Sequence, residues 1–144
     1  MAGDGREDSS MRARWTEDLS VGVDVIDNQH KELFSTADSL LMAVERNEGR
    51  GEVTKMVAFL EEYVETHFKT EETYMKRHNY PDYPTHKIEH TTFISDFYDL
   101  RQELDNNGVT PELTARIANR VGEWLVNHIG RMDKALGAFL RERR

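Results

Sequence analysis

Five of the six histidines in this chain fall into one spaced set with two carboxylates: His30, then His67 with Glu71, then His86 with His90, then His128 with Asp133. Each histidine lies on an apolar stripe of helical period, where an unpaired polar ring is costly. The i,i+4 pairs are the most informative. Four residues turn an α-helix by roughly 400°, so His67 and Glu71 project the same way about 6 Å apart, as do His86 and His90. Two such pairs and two further histidine-bearing helices can converge on one point inside a bundle. Imidazole with carboxylate in a buried pocket suits Fe(II), and seven ligands are too many for one ion, so the set points to more than one. A lone histidine on an apolar stripe is usually a satisfied core residue. Five of them on four stripes would leave a core full of polar rings in need of partners, and metal accounts for them together.

Asp133 fits least well. It follows His128 by five residues, and an ideal α-helix would turn it roughly 140° away. A carboxylate reaching across, or an irregularity at Gly130, would restore it. Glu72, beside Glu71, reads as part of a solvated face. His78 falls outside the pattern and reads as exposed. Asp27 reads as a first-turn carboxylate or an outer partner of the site. Other site types are missing: there is no His-Glu-x-x-His, no glycine-rich phosphate loop and no repeated Glu-x-x-His of the ferritin-like kind.

Four amphipathic segments carry these residues. The first runs from about Asp24, a candidate N-cap, to Arg46, and places His30 among Ile26, Leu33, Phe34, Ala37 and Leu40. The second runs from about Glu52 to His78, after the Gly49/Gly51 break. The third starts near Pro84 and ends near Asp105, with a stripe of His86, His90, Phe93, Phe97, Leu100 and Leu104. The fourth opens on Thr110 as N-cap and Pro111 at the first helical position, and extends to about Phe139. No strand-like alternation competes. Short connections between four long helices predict an all-α, up-down-up-down four-helix bundle. Trp15, in a short arm before the first helix, is expected to anchor against it. The domain organisation expected is a disordered tail over residues 1–13 and the bundle domain over 14–144.

Composition narrows the function. The chain has 144 residues, about one domain, and a formal charge of −8. Its basic residues form no single face, which argues against nucleic acid as a partner. No apolar run approaches the length of a membrane span. The polar start, MAGDGREDSS, lacks the apolar stretch of a signal peptide. The absence of cysteine removes disulfides and thiolate ligands and fits a cytoplasmic protein.

At this point the chain resembles a known family, the hemerythrins, and within it the bacterial single-domain members. The resemblance covers roughly residues 14 to 140 and rests on Trp15, SVGVDVIDNQH at 20–30, HFKTEETYM at 67–75, YPDYPTHKIEH at 80–90 and WLVNHIGRMD at 124–133. It implies a non-haem centre of two Fe ions that binds O2 reversibly. By position, His86, His90 and His128 would hold a coordinatively full iron. His30 and His67 would hold the other, with one position open to O2. Glu71 and Asp133 would bridge the two with a solvent-derived oxygen, and Leu125 and Trp124 would line the O2 pocket. The resemblance implies an O2-binding protein for carriage, storage or delivery rather than an enzyme, with O2 and small anions such as azide as ligands and no protein partner indicated. Five imidazoles against two carboxylates favour stopping at reversible binding over O–O cleavage. The competing readings are an O2 or redox sensor acting through a separate partner, a di-iron peroxidase or oxidase, and iron storage.

Overall fold

In the computed structural model, which describes residues 13–143, four long helices run up, down, up and down. They are α1 (Asp24–Glu45), α2 (Arg50–Arg77), α3 (Tyr83–Asn107) and α4 (Pro111–His128). A π-helical turn, Ile129–Asp133, joins α4 to the short α5 (Lys134–Arg141). Among the described residues there is no strand, and no helix is long and apolar enough to cross a membrane. The tail expected over 1–13 lies, except for Ala13, outside the described residues.

The helix ends follow local chemistry. The Thr110 side chain accepts from the Leu113 N–H at 3.1 Å and Pro111 opens α4, as the sequence predicts. Asp24 does not cap α1: Val23 holds that position and Asp24 is the first helical residue. α1 and α2 stop in the same way. Asn47 and Asn79 take positive φ values of 57° and 55°. The next N–H in each case reaches back, Glu48 to Ala43 O at 3.0 Å and Tyr80 to Met75 O at 2.9 Å, closing the last turn.

The core is a continuous apolar cluster drawn from every helix, with Ile26, Leu33, Leu40, Leu60, Ile117 and Val121 removed from solvent. α1 sits centrally and packs against both α2 and α4. Trp15 packs on the cluster as expected, with Lys31 Nζ 4.5 Å from its ring centre. Asp27 serves the arm: it accepts from Ser20 Oγ at 2.6 Å and from the Val21 N–H at 2.8 Å. These bonds lay Val21 over α5, where the Arg141 guanidinium donates to its carbonyl.

The arm touches α5 at a glycine. A Cβ on Gly137 would stand 2.1 Å from Val21 O and 2.9 Å from Val21 Cβ, so any side chain there must push the arm away. Gly130, in the π turn, has open space in the same test. Gly137→Ala should therefore destabilise by about 1–3 kcal/mol, the usual cost of overpacking. Gly130→Ala should be neutral or slightly stabilising. Thermal unfolding of the two variants checks this. Equal midpoints would mean that the arm does not depend on the close approach at Gly137.

Candidate metal centre

The seven residues singled out by spacing meet in the middle of the bundle. His30, His67, Glu71, His86, His90, His128 and Asp133 are each no more than 1% exposed. His67 and Glu71 share one face of α2, and His86 and His90 share one face of α3, as four-residue spacing requires. Asp133 joins them because the chain winds as a π-helix from Ile129 to Asp133. The wider turn takes in one extra residue, so positions five apart come to the same side. The irregularity expected at Gly130 is this turn. His78 stays outside the group. It is half-buried at the C-cap of α2 rather than exposed.

The ligand atoms divide into two overlapping sets. Glu71, His86, His90, His128 and Asp133 form one, and His30, His67, Glu71 and Asp133 form the other, with all atoms of a set within 4.8 Å of one another. Each carboxylate splits its oxygens between the sets. Glu71 Oε1 lies 3.0 Å from His90 Nε2 and 3.4 Å from His86 Nε2, whereas Oε2 lies 3.4 Å from His67 Nε2 and 3.6 Å from His30 Nε2. Asp133 Oδ1 lies 3.0 Å from His86 Nε2 and 3.1 Å from His128 Nε2, whereas Oδ2 lies 2.9 Å from His30 Nε2. Donors at right angles around an ion, each at an ordinary metal–ligand distance, stand roughly 3 Å apart.

The donor set fits metal on a further observation. His30 Nε2, His67 Nε2, Glu71 Oε2 and both Asp133 oxygens are buried with no aligned hydrogen-bond partner. Buried polar atoms are nearly always satisfied, and these face the same space. His86 Nε2 and His128 Nε2 meet at 3.1 Å, a spacing at which two neutral nitrogens repel unless a proton or cation lies between them.

The outward ring nitrogens of three histidines have partners that orient them. His90 Nδ1 donates to Glu72 Oε2 at 2.9 Å, and His128 Nδ1 donates to Glu89 Oε1 at 2.8 Å. A carboxylate only accepts, so the proton sits on Nδ1 and Nε2 is left to face inward. His67 Nδ1 donates to Gln29 Oε1 at 2.8 Å. The amide is fixed by its other end, where Gln29 Nε2 donates to Thr70 Oγ1 while that hydroxyl donates to Thr66 O. Aromatic rings hold the same imidazoles from the side. Phe68 stacks on His90 at 3.8 Å, and Trp124 stacks on His128 at 4.2 Å. Trp124 therefore walls the three-histidine set, while Leu125, one turn before His128, is 2% exposed.

Glu72 corrects the sequence reading. It is a buried partner of His90 rather than part of a solvated face. Gln29 and Glu89 were not identified from the sequence. Each sits next to a histidine of the set in the chain, and that adjacency was the only available signal.

Without metal, the carboxylates draw protons onto the imidazoles. Burial lowers the pKa of His30, but Asp133 and Glu71 outweigh it and raise it to about 9. The same balance puts His86 at about 9. His67 goes the other way, to about 4, because burial dominates. Burial would raise Glu71 and Asp133, yet the surrounding imidazoles hold both below the usual carboxylate range.

Comparison with known proteins identifies the family. Residues 21–140 match the family described as hemerythrin HHE cation binding domain. A bacteriohemerythrin of Methylococcus capsulatus is 33% identical over 127 residues, covering 88% of this chain and 95% of that protein. A bacteriohemerythrin of Clostridium acetobutylicum is 29% identical, covering 83% and 95%. Among solved structures, a wild-type hemerythrin superposes with a TM-score of 0.76 at 33% identity, covering 86% of this chain and 94% of that one. A variant of a hemerythrin with one leucine replaced by alanine superposes equally well, with a TM-score of 0.76 at 32% identity. With a matching family description over most of its length and a relative at this identity, the chain belongs to the hemerythrin HHE cation-binding family.

Proposed function

We propose that this protein holds two iron ions between its four helices and binds O2 reversibly at one of them, as a carrier, store or delivery protein. The observation that supports this most directly is the division of each carboxylate: Glu71 turns Oε1 to His86 and His90 and Oε2 to His30 and His67, and Asp133 turns Oδ1 to His86 and His128 and Oδ2 to His30. A carboxylate serving a single ion has no need to face two imidazole sets. His86, His90 and His128 would hold one ion with Glu71 and Asp133, and His30 and His67 would hold the other with the same two carboxylates. The second set has one donor fewer, so it is the set with room for an exogenous ligand. Two ferrous ions held there would supply the electrons that reversible O2 binding requires.

The chain's own residues then have defined tasks. Glu72, Glu89 and Gln29 hold three rings with Nε2 inward. Leu125, buried one turn before His128, would line the ligand pocket and keep water and anions from the site. Trp124 would hold the His128 ring from the side, on the three-histidine half of the site. Protons and metal compete for the same imidazoles, since a ligand nitrogen must be deprotonated.

Protein grown with iron should hold two Fe per chain by metal analysis. His67→Ala should abolish reversible oxygenation, whereas His78→Ala should leave iron content and O2 uptake nearly unchanged. One iron per chain, or identical behaviour of the two variants, would remove the ligand assignment.

The site's proton balance gives a second test. His30 and His86 titrate at about 9 in the metal-free chain, above the ordinary 6.5. Their contribution to stability is full below 6.5 and is lost as pH rises through 9. His67 is depressed to about 4, so on that side stability is lost as pH falls from 6.5 toward 4. Metal-free protein should melt progressively lower from pH 6.5 to 9, and the iron-loaded form, whose imidazoles are neutral throughout, should melt higher and stay flat over that range. Metal uptake at pH 7 should release protons, from His30 and His86 and in part from His128, read in a weakly buffered titration. Uptake without proton release would show that the imidazoles are neutral beforehand.

Leu125→Ala tests the pocket. It should cost about 2–5 kcal/mol of stability, admit azide faster and hasten decay of the oxygenated absorption band to the diferric state. An unchanged decay rate at matched iron content would remove Leu125 from the pocket.

A further inference from the structure

The outward nitrogens of the five histidines are not treated alike. On the three-histidine side, two rings donate to carboxylates: His90 to Glu72 at 2.9 Å and His128 to Glu89 at 2.8 Å. On the two-histidine side, His67 donates to the neutral amide of Gln29 at 2.8 Å, and His30 Nδ1 is buried with no hydrogen-bond partner. The difference matters chemically. A carboxylate behind an imidazole draws its N–H proton outward and makes the opposite nitrogen a stronger donor. An amide oxygen does so weakly, and an unpartnered nitrogen not at all. Glu72 and Glu89 are each tied to one cation, Lys87 Nζ at 2.9 Å and Arg131 Nη2 at 3.0 Å. Those ion pairs fix the carboxylates in place.

We propose that Glu72 and Glu89 are positioning residues that make the three-histidine set the stronger donor, so that the iron it holds is the first to be oxidised and the last to be reduced. The inference rests on the di-iron reading above. Its consequence is directional. An iron in the five-donor set would carry the more stable ferric charge. An iron in the four-donor set, backed by Gln29 and the unpartnered His30 ring, would keep its ferrous character and hence its readiness for O2. A surface-solvation role for Glu72 and Glu89 does not fit as well, because their imidazole-facing oxygens are aimed at rings that are 1% exposed or less.

The test is spectroelectrochemistry of the iron-loaded protein, with the electrode supplying and taking up one electron per iron, on wild type, the Glu72→Gln/Glu89→Gln double variant and Gln29→Glu. Wild type should show two separated one-electron steps. The double variant should move the first oxidation to higher potential. Gln29→Glu, which puts a carboxylate behind His67, should move the second oxidation to lower potential. Both changes narrow the separation, but from opposite directions, which a merely structural disturbance would not do. Competition with a chelator should show one of the two irons held about 10–100-fold more weakly in the double variant. If the double variant does not load, Gln29→Glu leaves the three-histidine set intact and its downward shift decides. Unshifted steps, or shifts of one sign in both variants, with two irons present, overturn the proposal. Wild-type protein that does not hold two irons overturns the di-iron reading, and this inference with it.

Discussion

Two carboxylates buried at the centre of a small helical bundle constrain everything around them. Glu71 and Asp133 are no more than 1% exposed, and neither has an arginine or lysine beside it among the described ion pairs. Uncompensated buried charge costs several kcal/mol per ion. Among the described residues, the groups positioned to offset it are five imidazoles, and an imidazole can do so in two ways. It can take a proton, as His30 and His86 do in the metal-free chain. Or it can stay neutral and share a divalent cation with the carboxylate. The site is thus built to exchange protons for metal, and its folding energetics are tied to which of the two it holds.

That constraint explains features of the bundle that packing alone would not select. A π turn widens a helix and weakens its hydrogen bonding, so it is rare and concentrates at functional sites. Here it occupies Ile129–Asp133, the stretch that must carry His128 and Asp133 to one point. The arm is held by a similar economy. Asp27 sits one turn from His30 but spends its carboxylate on Ser20 and Val21, which closes the arm over α5 and away from the ligands. A third carboxylate pointing inward would have upset the charge balance at the centre.

Rigidity at the site comes from layers rather than from the ligands themselves. Carboxylate and amide partners set the proton position on His67, His90 and His128, and stacked rings of Phe68 and Trp124 limit rotation of His90 and His128. Nitrogen atoms held with their lone pairs inward lose less freedom when metal arrives, which favours affinity. The same layers differ between the two halves of the site, so the halves are chemically unequal even though Glu71 and Asp133 serve both.

Much of this was legible in the chain. Four-residue spacing places His67 with Glu71 and His86 with His90 on shared faces whatever the tertiary structure, because the helix period is fixed by backbone geometry. Four long amphipathic segments with short connections leave few alternatives to an up-down-up-down bundle, and Thr110-Pro111 marks a helix start by local hydrogen bonding alone. The tertiary structure decided what depends on distance through space. Whether Asp133 could reach His128 turned on the π turn over Ile129–Asp133. Glu72 looked solvated because burial of a glutamate depends on what packs above it, here His90 and Lys87 from α3. Gln29 and Glu89 carry no spacing signal, since their partners lie 38 and 39 residues away. Which carboxylate oxygen faces which histidines also emerges only in three dimensions, because sequence determines the face a side chain occupies, and packing of the other helices determines what stands opposite it.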